Sequence, residues 1–127
     1  MILIDTSVWI EFFRQNAKYT GRIESLLETR EIITIEPVFA ELLHGARQKQ
    51  DREMILSYWK ILPKITFGMN SMLAASEFAN NNKYHQSGIG LMDAVIIKSA
   101  MEGEHSIWTL DMKINDNIAK KYIYQIP

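Results

Sequence analysis

Short apolar runs alternate with longer amphipathic stretches along this chain. Continuous apolar runs rich in β-branched residues predict buried strands, because a strand covered on both faces has no polar side. The predicted strands cover residues 2–4, 32–35, 64–67, 106–109 and 121–124. Apolar residues spaced three and four apart predict helices. The predicted helices run through residues 8–13, about 20–29, 37–45, about 51–62, about 71–84 and about 89–101.

Turn and cap residues support several of these boundaries. Thr6 or Ser7 is expected to cap the first helix, since a hydroxyl side chain accepts hydrogen bonds from free N–H groups there. Pro37 suits a first helical position, and Gly45 suits a helix end. No linker, repeat or long low-complexity segment interrupts the chain. A single domain over residues 1–127 is therefore predicted.

The alternation of strands and helices predicts an α/β fold. Strands joined through helices lie parallel, so we expect a three-layer α/β/α domain around a central parallel sheet of four to five strands. Ligands of such sheets bind beyond the carboxyl ends of the strands. The residues that follow the strands are therefore the first candidates for a functional site.

Composition narrows the possible functions. The chain has 127 residues, 47% of them hydrophobic and 23% charged, which is typical of a globular domain. It has no cysteine, which excludes disulfides, thiolate zinc sites and a cysteine nucleophile. Fourteen basic against fifteen acidic residues give a net charge of −1. A polyanionic ligand would therefore have to be held by a local basic patch or through bound cations.

The first residues indicate the expected location. The apolar run from Met1 to Ile4 has no basic residues before it and meets an acid at Asp5, so a buried strand is expected rather than a signal peptide. No stretch approaches the roughly 20 apolar residues of a membrane span. The expectation is a cytoplasmic protein without membrane contact.

Two aspartates follow predicted strands and a third lies on a helix. Asp5 ends the first strand and Asp111 follows the fourth, so both should lie at one edge of a parallel sheet. Taken singly, Asp5 could be a helix cap and Asp111 a solvated turn residue. Asp93 falls inside the apolar stripe of its helix, where a lone carboxylate is costly. It should be neutralised, hydrogen-bonded as a buried cap, or bound to a cation, and we favour a functional role.

Glu41 gives a weaker signal. It lies off the buried face of its predicted helix, and on pattern alone a solvated glutamate is the better interpretation.

Four motifs taken together resemble a known family. Residues 4–10 (Ile-Asp-Thr-Ser-Val-Trp-Ile) resemble the opening motif of PIN domains, especially VapC-type toxins of bacterial toxin–antitoxin pairs. Residues 41–45 (Glu-Leu-Leu-His-Gly) resemble the helix motif of that family, and residues 91–96 (Leu-Met-Asp-Ala-Val-Ile) its third motif. Residues 109–111 (Thr-Leu-Asp) are similar to its fourth. The four occur in the family's order and cover nearly the whole chain.

The resemblance implies a metal-dependent ribonuclease restrained by a cognate antitoxin, and a homodimer. Its acids would be Asp5, Glu41, Asp93 and Asp111. Ser7 and Thr109 would place hydroxyl groups against the carboxylates. Many relatives carry a further acid where this chain has Lys113; Asp116 could substitute at a different spacing, which leaves the number of metal ions open.

The chemistry is consistent with that implication. Clustered carboxylates repel one another unless Mg²⁺ or Mn²⁺ lies between them, and such an ion can activate water for attack on a phosphodiester. Asp5, Asp93 and Asp111 are the expected metal ligands. Six basic residues are candidates for binding the RNA backbone, although each could equally belong to a solvated helix face. These candidates are Arg14, Lys18, Arg22, Arg47, Lys49 and Arg52.

Two further hypotheses remain at this point. A receiver-like phospho-acceptor module would also cluster acids around Mg²⁺, although it would place paired acids after its first strand, where this chain has only Asp5. A catalytically inactive PIN-like binding scaffold is the other, because Lys113 stands where relatives carry an acid.

Overall fold

Three short parallel strands form the central sheet of this structure, a computed structural model that describes all 127 residues. The strands are β1 (Ile2–Ile4), β2 (Ile32–Ile33) and β3 (Ser106–Trp108), in the spatial order β2–β1–β3. In this register Leu3 of β1 pairs with Ile33 on one side and Ile107 on the other. Every residue of β1 and β2 is buried, as the continuous apolar runs predict.

Both edges of the sheet are extended by single parallel bridges. Thr34 pairs with Lys64 beyond β2, and Ile107 pairs with Ile123 beyond β3. The sequence predicted strands at both places, giving four to five in all, but each segment contributes one bridge and the sheet has three strands. In the segment beyond β3, a 3₁₀ turn at Lys120–Tyr122 occupies the first half of the strand predicted over residues 121–124. Few residues therefore remain to pair with β3.

Eight helices surround the sheet. In chain order they are α1 (Thr6–Phe13), α2 (Ala17–Glu28), α3 (Glu36–Gly45), α4 (Lys49–Ile61), α5 (Ser71–Asn81), α6 (Tyr84–Ser87), α7 (Leu91–Gly103) and α8 (Met112–Asn117).

Three differences from the predicted helices have clear local causes. The helix predicted over about residues 71–84 ends at Asn81, and a separate helix α6 begins at Tyr84, because Lys83 adopts the left-handed conformation (φ 56°) between them. The second helix begins three residues early at Ala17, because the side chain of Asn16 caps it by accepting the Lys18 N–H at 3.1 Å. The short helix α8 was not predicted, since its six residues are too few to show an apolar period.

The path of the chain explains the three layers. From β1 the chain moves outward to β2 and then to the bridge at Lys64, and it returns across the sheet to β3. Nearly all crossovers between parallel strands are right-handed. When the chain reverses its direction across the sheet, the connecting helices therefore pack on the opposite face. Helices α1 to α4 therefore cover one face, where α1 packs on α2 and α3, and α5 to α7 cover the other. The predicted α/β/α architecture is confirmed.

The same path locates a crevice between β1 and β3. The connections that leave these neighbouring strands run in opposite directions, and such switch points are where open α/β sheets bind ligands. Asp5 follows β1, and residues 109–111 follow β3. None of the helices has the length and apolar character needed to cross a membrane.

Candidate functional site

Three helices begin at the carboxyl edge of the sheet, and each carries an aspartate at its start. Asp5 is the N-cap of α1, Asp111 is the N-cap of α8, and Asp93 is the third residue of α7. The positive end of a helix dipole favours carboxylates at these positions. The prediction that Thr6 or Ser7 caps the first helix was wrong, because the Asp5 carboxylate accepts the Thr6 N–H at 2.8 Å.

Asp5 is the most enclosed of these acids. Its side chain is buried, and its second oxygen, Oδ2, accepts hydrogen bonds from Ser7 Oγ at 2.9 Å and Thr109 Oγ1 at 2.7 Å. Thr109 lies 104 positions away in the sequence. The predicted placement of both hydroxyls against a carboxylate matches this geometry.

Backbone N–H groups donate to both of these hydroxyl oxygens. The N–H of Leu110 donates to Ser7 Oγ at 3.1 Å, and the N–H of Asp111 donates to Thr109 Oγ1 at 3.0 Å. Because each hydroxyl accepts from an N–H group, its single proton is available for Asp5. Asp5 therefore accepts hydrogen bonds from three donors.

Asp93 lies close to the other three acids. Burial raises its pKa above the ordinary aspartate value, and the charges of Asp5, Asp111 and Glu41 raise it further, while the backbone of Gly90 acts in the opposite direction. The residues predicted to share its apolar stripe are buried, namely Ile89, Ile96, Ile97 and Ala100, and Ala94 and Val95, which lie outside the stripe, are buried too. The structure thus brings three other predicted acids within electrostatic range of Asp93.

Glu41 reaches this cluster from α3. The residue is exposed, as its position off the buried face predicted, but its carboxylate accepts a hydrogen bond from Thr6 Oγ1 at 3.2 Å. Partial burial of the carboxyl group raises its pKa, the hydrogen bond from Thr6 lowers it, and the charge of Asp5 raises it. Its partner Thr6 had no role in the sequence prediction.

The donor chemistry of the cluster suits a hard divalent cation. Carboxylate oxygens are the ligands preferred by Mg²⁺ and Mn²⁺, and a cation would relieve the repulsion that raises the pKa of Asp93. As the side chains stand, no three acidic or histidine groups come close enough together to enclose an ion. What the cluster does supply is carboxylate donors of the preferred kind and like charges around Asp93.

Asp116 stands apart from these four acids. It is exposed on α8, forms no hydrogen bond with them, and is not among the charges that raise the pKa of Asp93. It lines a groove of about 420 Å³ that also includes Thr109 and Tyr124.

Asn115 is a site residue that sequence reasoning missed. Its side-chain amide donates to the carbonyl oxygen of Thr109 at 3.1 Å, which ties α8 to the end of β3. Recognising Asp111 as a helix cap would have placed Asn115 one turn further along the same helix, facing back toward the strand end.

Most of the predicted basic residues are occupied within the chain. Arg14 pairs with Glu11, Lys49 pairs with Glu53, and Lys18 lies over the ring of Tyr19. Arg22 donates to the Tyr124 hydroxyl, Arg52 donates to the Leu43 carbonyl, and Arg47 is exposed in the α3–α4 connection.

Solved structures with a similar fold support this architecture. Over 97% of this chain and 96% of the other, it matches a chain in the crystal structure of VapBC2 from Rickettsia felis bound to a DNA fragment from their promoter (TM-score 0.71, 22% identity). It also matches FitAcB from Neisseria gonorrhoeae (TM-score 0.60, 19% identity, 89% of each chain). A structure of FitAB bound to an IR36 DNA fragment matches over 88% of this chain and 86% of the other (TM-score 0.60, 17% identity).

The family assignment comes from the sequence itself. No curated protein matches the chain significantly. The PIN domain family, however, matches residues 2–119, which include all four clustered acids and nearly every element described above. This leaves the receiver-like hypothesis without support, and the chain belongs to the PIN-domain family.

Proposed function

We propose that this protein is a metal-dependent endoribonuclease of the VapC toxin type. PIN domains are generally nucleases and typically use divalent metal ions. The observation that carries the proposal is the cluster itself. Its four acids lie on four separate elements, and the charges of Asp5, Asp111 and Glu41 all act on the Asp93 carboxyl group. A fold that concentrates unneutralised carboxylates at a switch point suits a cation that also meets an anionic substrate.

Each residue of the cluster has a distinct role in this proposal. Asp5, Asp93 and Asp111 would hold the ion. When bound, Mg²⁺ or Mn²⁺ would activate water for in-line attack and stabilise the leaving oxygen of the phosphodiester. Ser7 and Thr109 orient Asp5 through the hydrogen bonds that their hydroxyl groups donate to it.

Glu41 is suited to moving a proton. Its raised pKa brings it closer to neutral pH than an ordinary glutamate, which improves a general base. Thr6 donates a hydrogen bond to the Glu41 carboxylate, and this contact joins α3 to the start of α1 beside Asp5. We therefore assign Glu41 to proton transfer from the attacking water.

A cognate antitoxin partner belongs to the same proposal. The fold matches chains in VapBC2 and FitAB structures, which are toxin–antitoxin complexes. An uncontrolled cytoplasmic ribonuclease would damage its own cell, so a protein that covers the acidic crevice is the expected restraint. RNA as substrate and a homodimeric assembly complete the proposal.

The test is cleavage of single-stranded RNA by purified protein in Mg²⁺ or Mn²⁺. Asp5→Asn should reduce the rate at least 100-fold, because it removes a ligand charge from the cluster. Asp51→Asn is the matched control, since Asp51 is exposed in the first turn of α4 and should leave the rate unchanged. Excess chelator should abolish cleavage by the wild type.

Four results would overturn the proposal. Equal activity of wild type and Asp5→Asn, or activity in excess chelator, would identify a contaminating nuclease. Cleavage of single-stranded DNA in preference to RNA would assign a different substrate. Calorimetric titration that finds no Mn²⁺ binding at millimolar concentration would favour the inactive scaffold.

A further inference from the structure

Lys113 links the two elements that bring Asp111 and Asp93 to the crevice. Its backbone N–H donates to the Asp111 carboxylate at 2.9 Å in the first turn of α8. Its side chain extends away from α8 and packs on Gly88, at the turn that leads into α7. Lys113 Cδ lies 3.5 Å, and Nζ 4.0 Å, from the position that a Cβ atom of Gly88 would occupy.

Gly88 is the residue on which the Lys113 stem packs. Its φ of 73° is in the left-handed region that side chains rarely adopt, so glycine is the residue expected there. With no side chain present, the turn offers a flat surface to the aliphatic stem of the lysine. The stem lies against this turn, and the residue as a whole is exposed to solvent.

The Lys113 ammonium group has no partner within the chain. It takes part in none of the three ion pairs, and its Nζ atom donates no hydrogen bond. Most of the basic residues singled out from the sequence differ from it, since they are paired with a carboxylate, a hydroxyl, a carbonyl or an aromatic ring. An exposed and unpaired cation that follows Asp111 by two positions is available to an external anion.

We propose that Lys113 binds an RNA phosphate next to the scissile one, holding the strand across the acidic cluster. This inference rests on the proposed function and adds a substrate-binding residue to it. A protein of net charge −1 cannot attract a polyanion through its overall charge. A cation that follows Asp111 on α8 and packs on the turn before α7 supplies that attraction near the elements that carry Asp111 and Asp93.

The variant Lys113→Met tests the proposal, because methionine keeps most of the apolar stem and removes the charge. Lys113→Arg preserves the charge and should restore binding. Lys60→Met is the matched control, since Lys60 is exposed near the end of α4, a helix that carries none of the four acids. RNA affinity is measured in an Asp93→Asn background so that the strand stays intact, and cleavage kinetics are measured with the four acids unchanged.

Lys113→Met should weaken RNA binding by roughly five- to ten-fold, similarly for strands of different sequence. The plot of log K against log salt should become shallower by about 0.7, the value for one phosphate contact on a single strand. KM should rise by a similar factor with kcat changed less than two-fold. The Arg variant should stay within two-fold of the wild type, and the Lys60 control should show no change.

The outcomes separate this inference from the proposed function. If the wild type cleaves RNA and Lys113→Met matches the Lys60 control in affinity and salt slope, the inference is wrong and the nuclease remains. If RNA binding depends on Lys113 but no cleavage occurs, Lys113 has its role and the nuclease is wrong. Absence of both binding and cleavage overturns both.

Discussion

At the scale of single residues, the carboxylates of Asp5 and Asp93 differ in their surroundings and so in their effect on stability. The Asp5 carboxylate is buried but accepts three hydrogen bonds, so its desolvation is compensated. The Asp93 carboxylate is half-buried among like charges, and its pKa is raised. Neutralising Asp5 should therefore cost stability in the metal-free protein, whereas neutralising Asp93 should increase it.

Asp93→Asn is expected to raise the melting temperature of the metal-free protein at pH 7 by about 1–3 °C. The folded state binds a proton at Asp93 more tightly than the unfolded state does. The Asp93 contribution to stability therefore increases as the pH falls through the raised folded pKa toward the unfolded value, and it decreases as the pH rises. The asparagine variant should lack this part of the pH dependence.

The measurement is thermal unfolding in chelator at pH 7 and pH 5, with Asp51→Asn as control. Added Mn²⁺ should reverse the order, because the wild type then gains more from binding the ion. A clear decrease in melting temperature for Asp93→Asn in chelator would show that Asp93 has a structural partner, contrary to this expectation.

At the scale of elements, helix ends determine where the functional groups lie. Helices α1, α7 and α8 start at the carboxyl edge with an aspartate in the cap or first turn. The left-handed residues Lys83 and Gly88 flank the four-residue helix α6, and this segment turns the chain from α5 into α7. Backbone conformation at these two positions therefore sets where α7 begins.

Two glycines should respond oppositely to alanine. Gly21 lies inside α2 with open space at its Cβ position, so Gly21→Ala should stabilise the protein by about 0.5–1 kcal/mol. Gly88 has a φ of 73°, so Gly88→Ala should destabilise it by about 1–2 kcal/mol.

Urea denaturation of the two variants at one pH measures both effects. Equal destabilisation by the two substitutions would contradict the assignment of helical conformation to one glycine and left-handed conformation to the other.

At the scale of the whole molecule, the site ties the two ends of the chain together. Ser7 and Thr109 join β1 and α1 to β3 and α8 through the Asp5 carboxylate. The N–H groups of Leu110 and Asp111 complete the network by donating to the two hydroxyls. These contacts fix how the crevice closes between β1 and β3.

Thr109→Val should lower the free energy of unfolding by about 1–3 kcal/mol, because it removes a donor from buried Asp5 and leaves the Asp111 N–H without its acceptor. Thr109→Ser keeps the hydroxyl and should recover most of the loss. Combined with Ser7→Ala, Thr109→Val should show an interaction energy of about 0.5 kcal/mol or more, since both hydroxyls bind one oxygen.

Denaturation of the two single variants and the double variant provides this cycle. Strict additivity, or a serine variant as unstable as the valine variant, would contradict a shared network.

Much of the fold could be predicted because its signals are local. The three strands lie within the predicted apolar runs, and six predicted helices correspond to helical segments. The segments beyond β2 and β3 pair through one bridge each, and no local pattern reports how many residues will find a partner. Helix α8 is too short to show an apolar period. Asp111, which caps it, was predicted as a site residue and not as a helix cap.

The sequence by itself determined the alternation of strands and helices, the absence of cysteine chemistry and the position of each acid relative to an element, because these depend on neighbouring residues. Tertiary structure decided which acids meet, that Glu41 reaches Thr6 and that Lys113 crosses to Gly88. It also decided that Asp116 stays apart. The reason is that electrostatic energy depends on distances between atoms on separate elements, and only the packed fold fixes those distances.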